Sequence, residues 1–316
     1  MKHIFSILTF LLILISCAPV PTPQSMSSVT PTASESIPTL TSTAIPVLLF
    51  STNTPVICDP FTADFCITDG HFLLERPVKP PANDSVDSTY RYGSTANGTR
   101  DPHHGVEFVN KSGTPVYAAA DGEVIFAGPD KEAIYSPWKN YHGNLVVIEH
   151  RNGLFTLYAH LSKISIQAGQ EVLAGDKIGE VGRTGVAIGS HLHFEVRRGD
   201  AQSYFATQNP ELWLAPKEDE NGELSGTLMI TIIDQGVGFR YAAFTMDYHP
   251  DRNQPRLKSY YGTTYARDMM NGNENAALGE LPPGEYRIAL AYNGQLYERW
   301  VEVESGRLTQ VGFVVK

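Results

Sequence analysis

Between residues 92 and 198 the chain passes through short runs of β-branched, aromatic and aliphatic residues, and Gly or Asp stops each within a few positions. Residues 115–119, 122–126, 144–148 and 154–161 each have strand length, and no helical period of any length interrupts them. A chain built this way folds as β-sheet, so the expected architecture is all-β, an antiparallel sheet or sandwich. The composition agrees: 18% charged residues with 27 Gly and 21 Pro suit short strands joined by tight turns.

Strand geometry then sorts the side chains, because alternate residues point to opposite faces. In His103-His104-Gly105-Val106-Glu107-Phe108, His103, Gly105 and Glu107 share one face and His104, Val106 and Phe108 the other. In His191-Leu192-His193-Phe194-Glu195-Val196, both histidines share a face with Glu195, while Leu192, Phe194 and Val196 form an apolar back. Along 154–161, Phe155, Leu157, Ala159 and Leu161 read as the apolar face, with Thr156, Tyr158 and His160 opposite. Four histidines and a carboxylate on strand faces match the ligand chemistry of catalytic zinc, which takes three protein ligands and leaves one position open. Spacing alone leaves a metal site and a set of internally bonded polar residues both open. His71, His142, His150 and His249 read as surface or satisfied histidines.

These residues resemble the M23 metallopeptidases, the lysostaphin-like and LytM-like endopeptidases of peptidoglycan. The family pattern H-x-G-x-D is matched by His103-His104-Gly105-Val106-Glu107, and its H-x-H by His191-Leu192-His193 followed by Phe194-Glu195. Gly113-Thr114-Pro115-Val116, Leu157-Tyr158-Ala159-His160-Leu161 and Gly182-Arg183-Thr184-Gly185 lie between them in the family's order. The resemblance covers about a third of the chain. It implies an M23-type β-sandwich catalytic domain over 57–215, with His103, Glu107 and His193 as zinc ligands. It implies His160 and His191 as catalytic histidines, which take a proton from the attacking water and stabilise the oxyanion. The implied substrate is the stem or cross-link peptide of peptidoglycan.

Two departures stand out. The family's usual Asp ligand is Glu107, one methylene longer, and 186–190 lacks the usual Ser-Thr-Gly-Pro wording while keeping Gly189. Some family members have lost ligands and activate other wall hydrolases, so a non-catalytic envelope regulator with a cell-wall hydrolase partner is the alternative reading. The loop 130–142, with Tyr135, Trp138 and Tyr141, reads either as a wall of a substrate groove or as a surface loop packing its own aromatics.

At the N-terminus, Lys2 and His3 precede an apolar run over 4–15, too short to span a membrane and laid out as a secretory signal. It ends in Leu14-Ile15-Ser16-Cys17, which resembles the lipobox of bacterial lipoproteins and implies lipidation of Cys17 and a membrane anchor outside the cytoplasm. Residues 18–56 are rich in Ser, Thr and Pro with Glu35 as their sole charge, a tether unable to bury a core. Cys58 and Cys66 follow in an exporting context, where a short disulfide loop is the natural pairing; free or metal-binding thiols would need partners that no nearby cysteine provides.

After the charged linker 216–222 a second β pattern runs over 223–316, with strands expected at 228–233, 241–248, 285–292, 295–303 and 309–315 and a hairpin turn at Asn293-Gly294. A small antiparallel sandwich, serving interaction or spacing, fits it. The chain's charge of −10, from 24 Lys and Arg against 34 Asp and Glu, gives no electrostatic basis for binding nucleic acid.

Overall fold

The computed structural model describes residues 58–266, Met269 and 274–316. The signal segment, Cys17 and the tether 18–56 lie outside the described residues. Everything described belongs to one compact unit, and it is all-β.

The sheet that carries the histidines has seven strands. Its order runs Thr207–Gln208, His191–Arg198, Leu154–Ala159, Asn144–Glu149, Gly122–Pro129, Glu171–Val172, with Val106–Val109 also paired to His191–Arg198, and every pairing is antiparallel. A three-stranded sheet of Pro115–Tyr117, Lys177–Glu180 and Lys163–Ile164 supplies apolar residues to the same core. Val116, Ile178 and Leu161 pack there with Val106, Phe108, Val146, Ile148, Leu192 and Phe194. The apolar back expected for Leu192, Phe194 and Val196 is therefore fully buried.

The other face of the large sheet is covered too, which changes the reading of 154–161. His193, Glu195 and Arg197 stand opposite Ala159, Leu157 and Phe155, and directly opposed residues share a face. Phe155, Leu157 and Ala159 thus lie on the histidine side, in a separate core with Tyr135, Val147 and Ala201. Thr156 and Tyr158, expected on a polar face, point into the main core. Their hydroxyls are satisfied there: the Ala119 amide and Thr156 Oγ1 both donate to Tyr158 Oη. With both faces buried, polarity no longer marks which side of the strand is outside.

The C-terminal region forms two sheets around a further core that includes Ile230, Phe244, Ile288, Val301 and Phe313. One sheet is antiparallel, in the order Lys258–Thr263, Ala243–His249, Gly284–Tyr292, Gln295–Val303. In the other, Gly226–Asp234 and Leu308–Val315 run parallel, so the sandwich is not wholly antiparallel as expected. Strands Lys258–Thr263 and Ala276–Leu281 were not expected from sequence. The expected turn is present: Asn293 and Gly294 both have positive φ, 48° and 78°, and close the hairpin between Tyr292 and Gln295. Cys58 and Cys66 are joined in a disulfide, and Cys66–Thr68 pairs with Leu308–Val315. The first described strand is therefore part of the C-terminal sheet.

Candidate metal centre

Strand register delivers Glu107 to His193, since the two are directly opposed across Val106–Val109 and His191–Arg198. His103 reaches the same point because Gly105 lets the backbone pass close to that strand. A Cβ on Gly105 would stand 2.4 Å from the Phe194 carbonyl oxygen and 3.0 Å from His193 Cε1. The glycine between ligands is thus a packing requirement, whatever its φ.

Three donor atoms converge as a result. His103 Nε2 is 3.2 Å from His193 Nδ1 and 3.3 Å from Glu107 Oε1, and His193 Nδ1 is 3.8 Å from the same oxygen. An ion held tetrahedrally at ~2.0–2.2 Å needs donors roughly 3.3–3.6 Å apart. The set fits.

Both imidazoles are held from behind through one nitrogen, so that the other faces the centre. His103 Nδ1 donates to the Tyr90 carbonyl at 2.9 Å, which leaves Nε2 facing the centre. Tyr90 also lies flat on the His103 ring, with centroids 4.0 Å apart. His193 Nε2 donates to Glu195 Oε1 at 3.0 Å, which directs Nδ1 inward. Burial alone would raise the Glu107 carboxyl, but His103, His191 and His193 around it hold it far below the usual carboxylate range. Burial pulls His193 down, yet Glu107 and Glu195 outweigh it and raise this imidazole to about 9. His103 moves the other way, lowered chiefly by burial.

His160 and His191 adjoin these donors, their rings 4.9 Å apart and the His160 ring 5.6 Å from that of His193. Alternation from Ala159 would turn His160 toward the main core, but a φ of 63° rotates it back. Its Nδ1 donates to the Thr184 carbonyl at 2.9 Å, so Nε2 carries the lone pair. Burial, then the neighbouring His193, His191 and His142, push its pKa well below the ordinary value and keep it neutral. His191 Nε2 is shut off from solvent and lies 2.7 Å from Glu107 Oε2. A groove of about 560 Å³ opens onto these groups, with Tyr141, Arg100, Asp101 and Ile188 among its walls.

The sequence pattern of peptidase family M23 matches residues 101–205, the span that holds all five of these residues. Residues 101–205 are an M23 peptidase domain. Relatives of this M23 domain include the peptidoglycan DD-endopeptidase ShyA of Vibrio cholerae, 36% identical over 143 residues, which are 42% of this chain and 31% of that protein. The DD-carboxypeptidase/endopeptidase Mpg of Neisseria meningitidis is 46% identical over 95 residues, 30% of this chain and 20% of that one. The chain spans less than a third of the length of either curated relative. A crystal structure of a zinc-containing peptidase from Vibrio cholerae aligns at 36% identity over 42% of this chain and 40% of that one, with a TM-score of 0.34.

Behind His193 the M23 domain carries a buried polar network that sequence reading largely missed. Glu195 is fully buried; its Oε2 accepts from Arg197 Nε at 2.8 Å and its Oε1 lies 3.2 Å from His142 Nε2. Arg197 in turn donates to the Tyr135 and Ala201 carbonyls. Burial would raise Glu195, but Arg197, His142 and His193 hold it well below its usual value, so it stays an acceptor. His142, read from sequence as a surface or satisfied residue, is fully buried and central here. The signal available was the alternation itself, which puts Arg197 on the face of His193 and Glu195. Nothing in the sequence pointed to His142. The other three histidines are engaged elsewhere: His71 edge-on against Trp213, His150 with the Asp121 carbonyl and Thr156, His249 with the Gln254 carbonyl. The loop 130–142 divides its aromatics, Tyr141 facing the groove, Tyr135 entering a core and Trp138 half-exposed beside Tyr141 and Tyr204.

Proposed function

We propose that this protein is a zinc-dependent endopeptidase that hydrolyses stem or cross-link peptides of peptidoglycan. The observation that carries this is the convergence of His103 Nε2, Glu107 Oε1 and His193 Nδ1 at 3.2–3.8 Å, beside a neutral His160 whose Nε2 is bare. Two imidazole nitrogens and one carboxylate form the donor set of a catalytic zinc, and His191 Nε2, 2.7 Å from Glu107 Oε2, adjoins it. Bound there, zinc supplies a Lewis acid that polarises the scissile carbonyl and makes water a better nucleophile.

The chain's own residues do the rest. His160 Nε2 accepts the proton of the attacking water, and its Thr184 bond keeps that nitrogen aimed while the proton moves. His191, its Nε2 placed 2.7 Å from Glu107 Oε2 at the edge of the centre, holds the oxygen on which charge develops. Glu107 neutralises charge at the centre and, through its second oxygen, sets the distance to His191. The peptide lies along the groove bounded by Tyr141 and the 186–190 loop. The names of the ShyA and Mpg relatives support peptidoglycan as the substrate. Residues 57–215 would carry the hydrolysis, with 223–316 as an accessory module and Cys17 as a lipid anchor at the extracytoplasmic membrane face.

The test is incubation of the zinc-loaded protein with purified sacculi and analysis of the released peptides. New amino termini within stem or cross-link peptides are expected, absent with His160→Ala. A zinc-loaded wild type that releases nothing, yet stimulates another wall hydrolase, would put the regulator in its place.

A further inference from the structure

We propose that His142 is a positioning residue for His193, acting through Glu195 to hold the ligand's Nδ1 on the metal position. The inference rests on the metal reading of the centre and adds a residue to it. His193 can turn about its Cβ–Cγ bond and can carry its proton on either nitrogen; a carboxylate accepting from Nε2 fixes both. That carboxylate must itself be fixed. Arg197 holds Glu195 by Oε2 alone, with Nε at 2.8 Å and Nη2 at 2.6 Å. Oε1, the oxygen that meets His193, is held from the far side by His142 Nε2 at 3.2 Å. His142 is anchored in turn by Asp130, whose Oδ2 accepts from the His142 amide at 3.2 Å and lies 3.3 Å from its Nδ1.

The chain Asp130, His142, Glu195, His193 therefore ends at the metal position, and exposure along its first three members is 2%, 0% and 0%. At that burial no water can replace a lost partner, so removing the His142 ring leaves Glu195 Oε1 with His193 alone and free to swing about the arginine. A second link supports the role. The His142 carbonyl accepts from the His160 amide at 2.8 Å, so the same residue braces the backbone of the proton acceptor. A loop residue is thereby tied to both a ligand and its catalytic neighbour.

The test measures zinc affinity of the full-length protein by chelator competition, together with the visible spectrum of the cobalt(II) form and the melting temperature of the metal-free protein. His142→Leu is expected to lower zinc affinity about 10- to 100-fold and to shift the cobalt spectrum. His142→Gln, which keeps a donor to Glu195, should recover most of the affinity. Asp130→Asn, which leaves the ring but loosens its anchor, should show a smaller loss and decides the matter if His142→Leu does not fold. Wild-type zinc affinity in the folded variants, or equal loss in His142→Leu and His142→Gln, would overturn the positioning role. A purely structural residue would lower the melting temperature without moving the affinity of the folded protein. If wild type itself binds no zinc, the metal reading falls with it.

Discussion

His160 follows Ala159, which lies directly opposite His193, and yet the His160 ring also reaches the His193 side, because its φ of 63° reverses the alternation. The left-handed conformation costs a non-glycine residue roughly 1 kcal/mol, and here it brings a proton acceptor to the metal centre. His160→Ala should keep the metal and lose about 10²–10⁴-fold in turnover. His160→Gly should be equally inactive but more stable than His160→Ala by about 1 kcal/mol. Zinc analysis, sacculus hydrolysis and denaturant unfolding of the two variants check this; metal lost along with activity would make His160 a ligand.

Glu107 uses both oxygens, Oε1 toward His103 and His193 and Oε2 toward His191. An aspartate is shorter by one carbon bond, about 1.5 Å, and cannot span both sides from this backbone. Glu107→Asp should weaken zinc binding and slow hydrolysis, and Glu107→Ala should do worse. A gain of hydrolysis in Glu107→Asp would mark the native site as degenerate.

Zinc uptake should depend on pH through His193. In the metal-free protein its imidazole is raised to about 9, so it is protonated at neutral pH and must lose that proton to bind. Affinity should therefore rise roughly tenfold per pH unit up to the pKa and flatten above it. A chelator-competition series across that range measures the slope. A profile flat between neutrality and the pKa would contradict the assignment of His193 as a protonated apo ligand.

Gly105→Ala tests the close approach that brings His103 to the centre. The added methyl would sit 2.4 Å from the Phe194 carbonyl oxygen, which is rigid strand backbone. Relief requires the His103 segment to move away, so stability should fall by about 1–3 kcal/mol and zinc affinity should drop with it. Unfolding curves and zinc titration of this variant report both effects; wild-type values in both would show that the close approach does not require a glycine.

Cys17→Ser should release the protein from membranes into the soluble envelope fraction. Fractionation with mass analysis of the N-terminal peptide decides it, and an unmodified Cys17 in wild type would end the lipoprotein reading.

The alternation of His103, Gly105 and Glu107, and of His191, His193 and Glu195, was legible in the sequence because a strand's side-chain period is fixed by backbone geometry alone. So were the all-β class and the Asn293-Gly294 turn, each set by residues adjacent in the chain. Three things were not. The face of 154–161 could not be read from polarity once both sides of the sheet were covered, since Thr156 and Tyr158 satisfy their hydroxyls inside the core. The parallel pairing of Gly226–Asp234 with Leu308–Val315 joins segments some 80 residues apart, and strand patterns carry no direction. His142 entered the site because a loop folds over the sheet and buries it against Glu195, 53 positions away. Local periodicity determined which side chains each strand could offer; which of them meet, and what stands behind them, was decided by long-range packing that no single stretch of sequence encodes.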